Sequence, residues 1–484
     1  MNDLAERALV HLDAARRKVA ARPLVSLGLA GFLTSALIVG AGGRISAGDS
    51  VRPLTSWFGL LRPRSGGPPV AAALTYGAIC LLLVLWLITL RALRRTSRSE
   101  RCVWWLAGAW ALPFVIGPPL LSTDVYGYVA RGALARAGLD PYQHAPSALG
   151  SVPIVRALDI DGRGELSTSG PLTTWFEHAV LTVCAGHPLA AVIVLRVVAV
   201  AAVVGIGALV RHLVAGRRVA ALGITLLNPA VLLLVVSAGH LVGVLVLLLL
   251  AVVVCAGRAR WPAAVAFAAV AGLLAPVALI AVPAVVIAHT ATYRVRLLPT
   301  VARDLALAAV VLIPGFFAVR NGLGWLSNVN TLTRGTHTPF APASLVADLL
   351  DPIVSPASGD DLAAGARIAA AIAAGCIALY LLVTARSRPL DRTIGYALLA
   401  FALLGPVLQP WYLLWGTLVL APTAVGTRRD VVIALSCAAC VLNPAGLAGS
   451  AALNVTRAAL GVITVILLGR LVGRQRAARA LVIG

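Results

Sequence analysis

The sequence predicts an all-α polytopic membrane protein with about 12 to 14 transmembrane segments, forming one integral membrane domain over residues 1–484. Three observations carry that reading. Of the residues, 60% are hydrophobic and 12% charged, against about 25% charged in an ordinary soluble domain. The apolar residues gather in runs of about 20, enough for a helix to cross a bilayer. Most of the 40 Lys and Arg residues sit in alternate segments between those runs, the positive-inside signature. That alternation places both termini in the cytoplasm and the protein in the plasma membrane. A net charge of +22 would otherwise point to nucleic acid, but a nucleic-acid binder collects its cations on one face. Membrane lipids are therefore the expected surroundings, and no nucleic-acid partner is expected.

The elements follow in order. Arg7, Arg16, Arg17, Lys18 and Arg22 precede a first span at about 24–42 that lacks a cleavage site and so stays as an anchor. A Pro/Gly-rich external stretch at about 43–69 carries the interfacial pair Trp57-Phe58. Span two, about 70–90, returns to Arg91, Arg94, Arg95, Arg98 and Arg101. Span three, about 102–121, opens on the belt Trp104-Trp105 and delivers Asp124 to the outer face. Residues 122–188 form a first external loop too long to be a mere connector. It holds Asp124, Asp140, Asp159, Asp161, Glu165 and Glu177, a third of the 18 acidic residues, as chemistry on that loop would require.

Spans four to six follow at about 189–210, 219–236 and 241–257, with Asn228-Pro229 in the fifth and Ser237-Ala238-Gly239-His240 at the outer turn after it. Residues 262–288 read best as two half-length segments broken near Leu274-Ala275-Pro276, because a single crossing would put every later basic cluster outside. Spans at about 301–319 and 361–384 flank a second external loop, 320–360, which carries Gly322-Leu323-Gly324-Trp325, Arg334, His337, Asp348 and Asp351. The chain then goes out through about 393–408, turns at Gln409-Pro410-Trp411-Tyr412, and returns by Arg428-Arg429. Last come spans at about 431–447 and 455–472.

Asp124 is the natural centre. Ser122 or Thr123 can cap a helix at about 124–137, and Gly138 with Asp140-Pro141 supplies the stop. Val125, Tyr128, Val129 and Leu134 fall near helical spacing while Arg131 and Arg136 point elsewhere, which suits a helix lying in the interface. Asp124 could equally do no more than complement that helix's positive end, worth about 0.3 to 1 kcal/mol. Arg196, deep in span four, costs at least about 2.5 kcal/mol there and so must face protein and have a partner. Arg367 and Arg457 lie near enough to span ends to snorkel. His240 could bind a phosphate oxygen or cap a hairpin, and Gln409-Pro410-Trp411-Tyr412 could be a site or a membrane belt. His178, His187 and His337 share no metal spacing, Cys437-x-x-Cys440 lies inside an apolar run, and no Gly-rich phosphate loop follows a strand. No metal or cofactor is expected.

In this order the residues resemble the actinobacterial polyprenol-phosphate-mannose-dependent alpha-1,6-mannosyltransferases of the glycosyltransferase C superfamily, which build the mannan core of lipomannan and lipoarabinomannan. The resemblance rests on Ser122-Thr123-Asp124-Val125-Tyr126-Gly127-Tyr128, Arg131-Gly132-Ala133-Leu134 and Gly138-Leu139-Asp140-Pro141-Tyr142. Weaker matches are Gly170-Pro171-Leu172, Leu195-Arg196, Asn228-Pro229, Gly239-His240, Gly322-Leu323-Gly324-Trp325 and Gln409-Pro410-Trp411-Tyr412. The chain departs from the family at Ser169, where Tyr is usual, at Leu241-Val242, where Asn-Asp or Asn-Glu is usual, and at Leu274, near which Lys is usual.

The resemblance implies a glycosyltransferase C-like fold and a lipid-linked sugar, polyprenyl-phosphate-mannose, as a donor substrate entering from the bilayer. A glycan or lipoglycan acceptor would arrive from outside, with Asp124 as general base. Arg196, His240 and Arg320, with Arg136 and Arg334 behind them, become candidates for the donor phosphate. Tyr126, Tyr128, Asp140, Tyr142, Gln409, Trp411 and Tyr412 become candidates for substrate contact. A transporter would instead show internal repeats and charges on two matching spans, and a catalytically silent relative would have lost the base.

Overall fold

The computed structural model describes residues 24–42, 69–95, 99–293, 297–329, 341–350 and 359–442. Among them the chain is helical, with no strand. The predicted stretch 43–69 apart from Pro69, the parts 330–340 and 351–358 of the second predicted loop, with Arg334, His337 and Asp351, and the span 455–472 lie outside the described residues.

In chain order the main helices are α1 (Leu24–Gly42), α2 (Pro69–Arg95), α3 (Glu100–Ile116), α4 (Asp124–Arg136), α5 (Pro171–Val183), α6 (Pro188–Leu213) and α7 (Arg218–Leu226). After a π-helical segment, Val231–Ser237, come α8 (Val242–Gly257), α9 (Trp261–Leu274), α10 (Ala281–Tyr293) and α11 (Leu297–Phe317). The last four are α12 (Gly359–Val383), α13 (Leu390–Leu404), α14 (Leu413–Leu420) and α15 (Thr427–Val441).

This is an all-α polytopic membrane protein. Among the described residues five helices, α1, α2, α6, α11 and α12, are long and apolar enough to cross a bilayer, and six if the bent pair α7 with Val231–Ser237 counts as one span. Shorter apolar helices, α8 and α9 among them, occupy the places of several other predicted spans. The outward faces carry apolar side chains: Val310 is 69% exposed and Phe317 84% on α11, Ile372 and Leu379 each 62% on α12. In water such a surface would be a liability; in hydrocarbon it is the outer wall. Two indoles fill the inner face, and their N–H groups donate to carbonyls, Trp86 to Gly223 at 3.1 Å and Trp110 to Leu27 at 3.1 Å.

Two predicted spans are reshaped by proline. The fifth span, expected at about 219–236, bends by 59° between α7 and Val231–Ser237. The cause is Pro229, which has no N–H to give and disfavours helix at Asn228 before it. Asn228 takes up the lost bonds by accepting from the Ala230 N–H at 3.0 Å and donating to Ser436 Oγ at 2.8 Å. α3 stops at Ile116, short of the predicted 121, because Gly117-Pro118-Pro119 follows. The chain then turns through Leu121 at φ 65°.

The break predicted near Leu274-Ala275-Pro276 falls at Ala275, which is extended (φ −138°, ψ 116°), and α9 and α10 pack against each other across it. The freed Leu274 carbonyl accepts two hydrogen bonds, from the Gly170 N–H at 3.1 Å and from Thr173 Oγ1 at 2.7 Å. The segment 165–173 is thereby fastened to the break.

α4 matches its predicted helix closely but is enclosed, with Val125, Tyr126, Tyr128, Val129 and Leu134 all buried. The expectation of a helix lying in the interface is corrected: α5 packs against it. That crossing is close because position 132 is glycine; a Cβ there would stand 2.5 Å from the Glu177 carbonyl oxygen. Gly132→Val should therefore force α4 and α5 apart and cost about 1–3 kcal/mol or more, read as a lower Tm of the detergent-purified protein.

Candidate active site

Asp124 is the first residue of α4, and its N–H donates to Ser122 Oγ at 3.1 Å. Its Oδ2 lies 3.4 Å from His240 Nδ1, and the same nitrogen is 3.2 Å from Tyr128 Oη. His240 sits in the turn between Val231–Ser237 and α8, with its side chain 0% exposed while that of Asp124 is 37% exposed. Gly239, at φ 70°, makes that turn, and a Cβ on it would press on Val125 Cγ2. The imidazole lies 4.3 Å, centroid to centroid, from the Trp411 ring. Tyr412 continues the aromatic wall edge-on to Trp411 and stacks on Trp415 at 4.2 Å. His240 Nε2 and Tyr126 Oη are buried without hydrogen-bond partners among the described residues.

The electrostatics suit a base. Loss of water around the carboxyl pushes the Asp124 pKa up to about 6, against the pull of Arg131; Asp159 adds to the rise and the Ser122 hydroxyl opposes it. Burial pushes His240 down to about 3, so its ring is neutral. The hydrogen bond between His240 Nδ1 and Tyr128 Oη holds the ring beside the carboxylate.

Arg131 turns inward, correcting the expectation that it points elsewhere. Its Nε and Nη2 donate to Glu177 Oε1 at 3.0 and 2.9 Å, and its guanidinium carbon lies 5.3 Å over the Tyr128 ring. Glu177 on α5 is fully enclosed. Burial pushes its carboxyl up and the guanidinium pulls it back, while Glu177 raises the Arg131 pKa. Of this pair, the sequence offered only the acid-rich loop as a signal.

Four other predicted residues act differently from the expectation. Arg196 on α6 donates through Nη1 to the carbonyls of Phe114, Val115 and Gly117, and through Nη2 to that of Ser237. It is 3% exposed, so these groups tie backbone together and do not face a phosphate. Arg136 lies at the far end of α4, about 18 Å from Asp124 at 1.5 Å per residue, with its guanidinium over Gly186. Asp140 and Tyr142 are scaffold. Asp140 Oδ1 accepts from the Tyr142 N–H at 2.9 Å, Tyr142 Oη donates to the Ser169 carbonyl at 3.0 Å, and Asn328 Nδ2 donates to the carbonyls of Tyr142 and Ser167, each at 2.9 Å. The structure thus groups Asp124, Tyr128, His240, Trp411 and Tyr412, with Gln409 leading into the last two, whereas Tyr126 lies buried near Arg196. Arg320 is exposed beyond the end of α11, and Arg334 is outside the described residues.

Residues 25–291 match the family model described as alpha-(1->6)-mannopyranosyltransferase, N-terminal domain. The chain belongs to this family. Residues 356–476 also match the MptB C-terminal domain. The alpha-(1->6)-mannopyranosyltransferase A of Mycobacterium tuberculosis is 28% identical over 436 residues, 84% of this chain and 81% of that protein. A probable alpha-(1->6)-mannopyranosyltransferase of Mycolicibacterium smegmatis is 27% identical over 424 residues, 76% and 74% of the two chains. The match to alpha-(1->6)-mannopyranosyltransferase A of Corynebacterium glutamicum is 28% identical over 264 residues, 50% of this chain and 53% of that one. No solved structure matches.

Within this alpha-(1->6)-mannopyranosyltransferase family member, two of the departures, Ser169 and Leu274, meet their partners through main-chain carbonyls, a contact that does not depend on the side chain. Leu241 and Val242 lead from His240 into α8 and are buried. Glu177→Ala would leave Arg131 charged and without its counter-ion, a loss of about 3–5 kcal/mol, whereas replacing both partners by apolar residues of similar volume should recover most of it. Thermal unfolding of the two variants in detergent checks this.

Proposed function

We propose that this chain transfers mannose from polyprenyl-phosphate-mannose to a hydroxyl of a mannan or lipoglycan acceptor on the external face of the plasma membrane. The donor's beta linkage inverts to an alpha-1,6 product. The observation that supports this most is the Asp124 carboxylate. It begins a helix at the edge of the buried site, stays partly open, has its pKa raised to about 6, and stands 3.4 Å from a neutral His240. Matched to an operating pH near neutrality, such a carboxylate suits general base catalysis.

In the reaction the acceptor hydroxyl gives its proton to Asp124 as its oxygen bonds the anomeric carbon. The bond from that carbon to the phosphate oxygen breaks, and polyprenyl phosphate leaves with the electron pair. A phosphate leaving group needs no general acid but does need positive or N–H stabilisation. Arg320 and Arg334 remain the cations for that task, since Arg196 and Arg131 hold protein partners. Trp411, Tyr412 and Tyr128 wall the place where the sugar would lie. Among the described residues, Arg367 on α12 is also a buried span cation, but Asp124 with its oriented imidazole favours transfer chemistry over transport.

Asp124→Asn should lower transfer by at least about 10²-fold with yield and elution profile unchanged. The assay uses radiolabelled polyprenyl-phosphate-mannose and a short mannoside. Turnover above about a tenth of wild type, or translocation of the donor without transfer, would sink the assignment. The pH profile is a second check. The base works ionised, so with its pKa raised to about 6 the rate should be level above that pH and fall about tenfold per unit below it. An unshifted aspartate would hold its rate down to about pH 4.

A further inference from the structure

A cavity of about 670 Å³ lies at the end of the bundle opposite Asp124. Glu100, at the start of α3, lines it, whereas Asp124 follows the other end of that helix. Seventeen residues of helix put about 25 Å between them. Arg94, Arg217, Arg218 and Arg429 line the cavity, and among the described residues Glu100 is the one carboxylate that does so. Glu100 is already held by Arg211 Nε at 2.6 Å and Arg218 Nη1 at 3.4 Å. Arg429 donates to Asp430 at 3.2 Å, yet its Nε is buried with no partner. Arg217 is exposed and makes no ion pair among the described residues.

α7 begins at this wall without a capping side chain, so first-turn N–H groups of the Arg218–Ala220 stretch are left for a ligand or water. A second, apolar cavity of about 160 Å³ shares Ala424 with the first. It is lined by Tyr396, Leu399, Leu420, Val431 and Leu435, with Arg428 also in its wall.

Guanidinium groups crowded into one basin repel one another unless an anion joins them, and a phosphodiester takes their paired N–H groups well. A helix N-terminus favours the same charge, and basic pockets between membrane helices are suited to lipid headgroups. We infer that the two cavities together bind an anionic glycerophospholipid. Its phosphate lies among Arg94, Arg217, Arg218 and Arg429, and an acyl chain enters the apolar slot beside Leu399 and Leu435. The site is separate from the transfer site and stands whether or not Asp124 is the base.

The test is a Tm titration of the full chain in neutral detergent with dioleoylphosphatidylglycerol, dioleoylphosphatidylcholine or inorganic phosphate. Phosphatidylglycerol should give a saturable rise, as a ligand of the folded state does, and phosphatidylcholine none. Arg217→Ala should weaken the response, and Arg217→Ala with Arg429→Ala should cut apparent affinity about tenfold or more. Arg217 is exposed and makes no ion pair among the described residues, so its single variant stands as a folded reference if the double variant is unstable. Asp124→Asn should respond as wild type. Two results would overturn the proposal: no response to phosphatidylglycerol, or an equal response in the Arg217 variants. An equal rise with inorganic phosphate alone would overturn the lipid assignment.

Discussion

The geometry around Asp124 depends on Arg196. A guanidinium among apolar helices must find acceptors or be expelled. This one finds them at the carboxyl end of α3, where the Phe114, Val115 and Gly117 carbonyls are left over, and at Ser237, where the π-helical segment ends. The negative pole of a helix favours a cation there. From Gly117 the chain runs within seven residues to Asp124, and from Ser237 within three to His240. One side chain on α6 therefore fixes the spacing of the carboxylate and the imidazole that faces it.

Around that anchor the charges are arranged to leave one group adjustable. Arg131 is spent on Glu177, and His240 is kept neutral by burial. Asp124, partly open to solvent, stays close to both its charged and its protonated form near neutrality. The aromatic wall of Trp411 and Tyr412 removes water on one side without adding charge.

Much of this was legible in the sequence because local chemistry decided it. Ser122 and the stop at Gly138-Leu139-Asp140-Pro141 framed α4, and Pro276 marked the break at Ala275. What sequence could not supply was the identity of partners distant along the chain. Arg196 announced a buried cation, but a cation in a span can be met by a ligand, a carboxylate or bare carbonyls, and packing chose the last. Arg131 falls on the wrong side of a simple apolar stripe, yet Glu177, 46 residues later, draws it in. Asp140 and Tyr142 sit in the recognisable block, and their work is to shape the loop. The bend at Asn228-Pro229 was open to prediction from the proline alone; the apolar run around it masked the signal.

The doubly engaged Leu274 carbonyl has a mechanical consequence. Gly170 and Thr173 grip it at the start of α5, and α5 carries Glu177, which in turn grips Arg131 on the helix of Asp124. A displacement at the kink between α9 and α10 is thus geared, through three short links, to the reacting carboxylate. The long polar segment is coupled to the two buried half-helices as a lever is to its fulcrum, and does not hang over them as a loose flap.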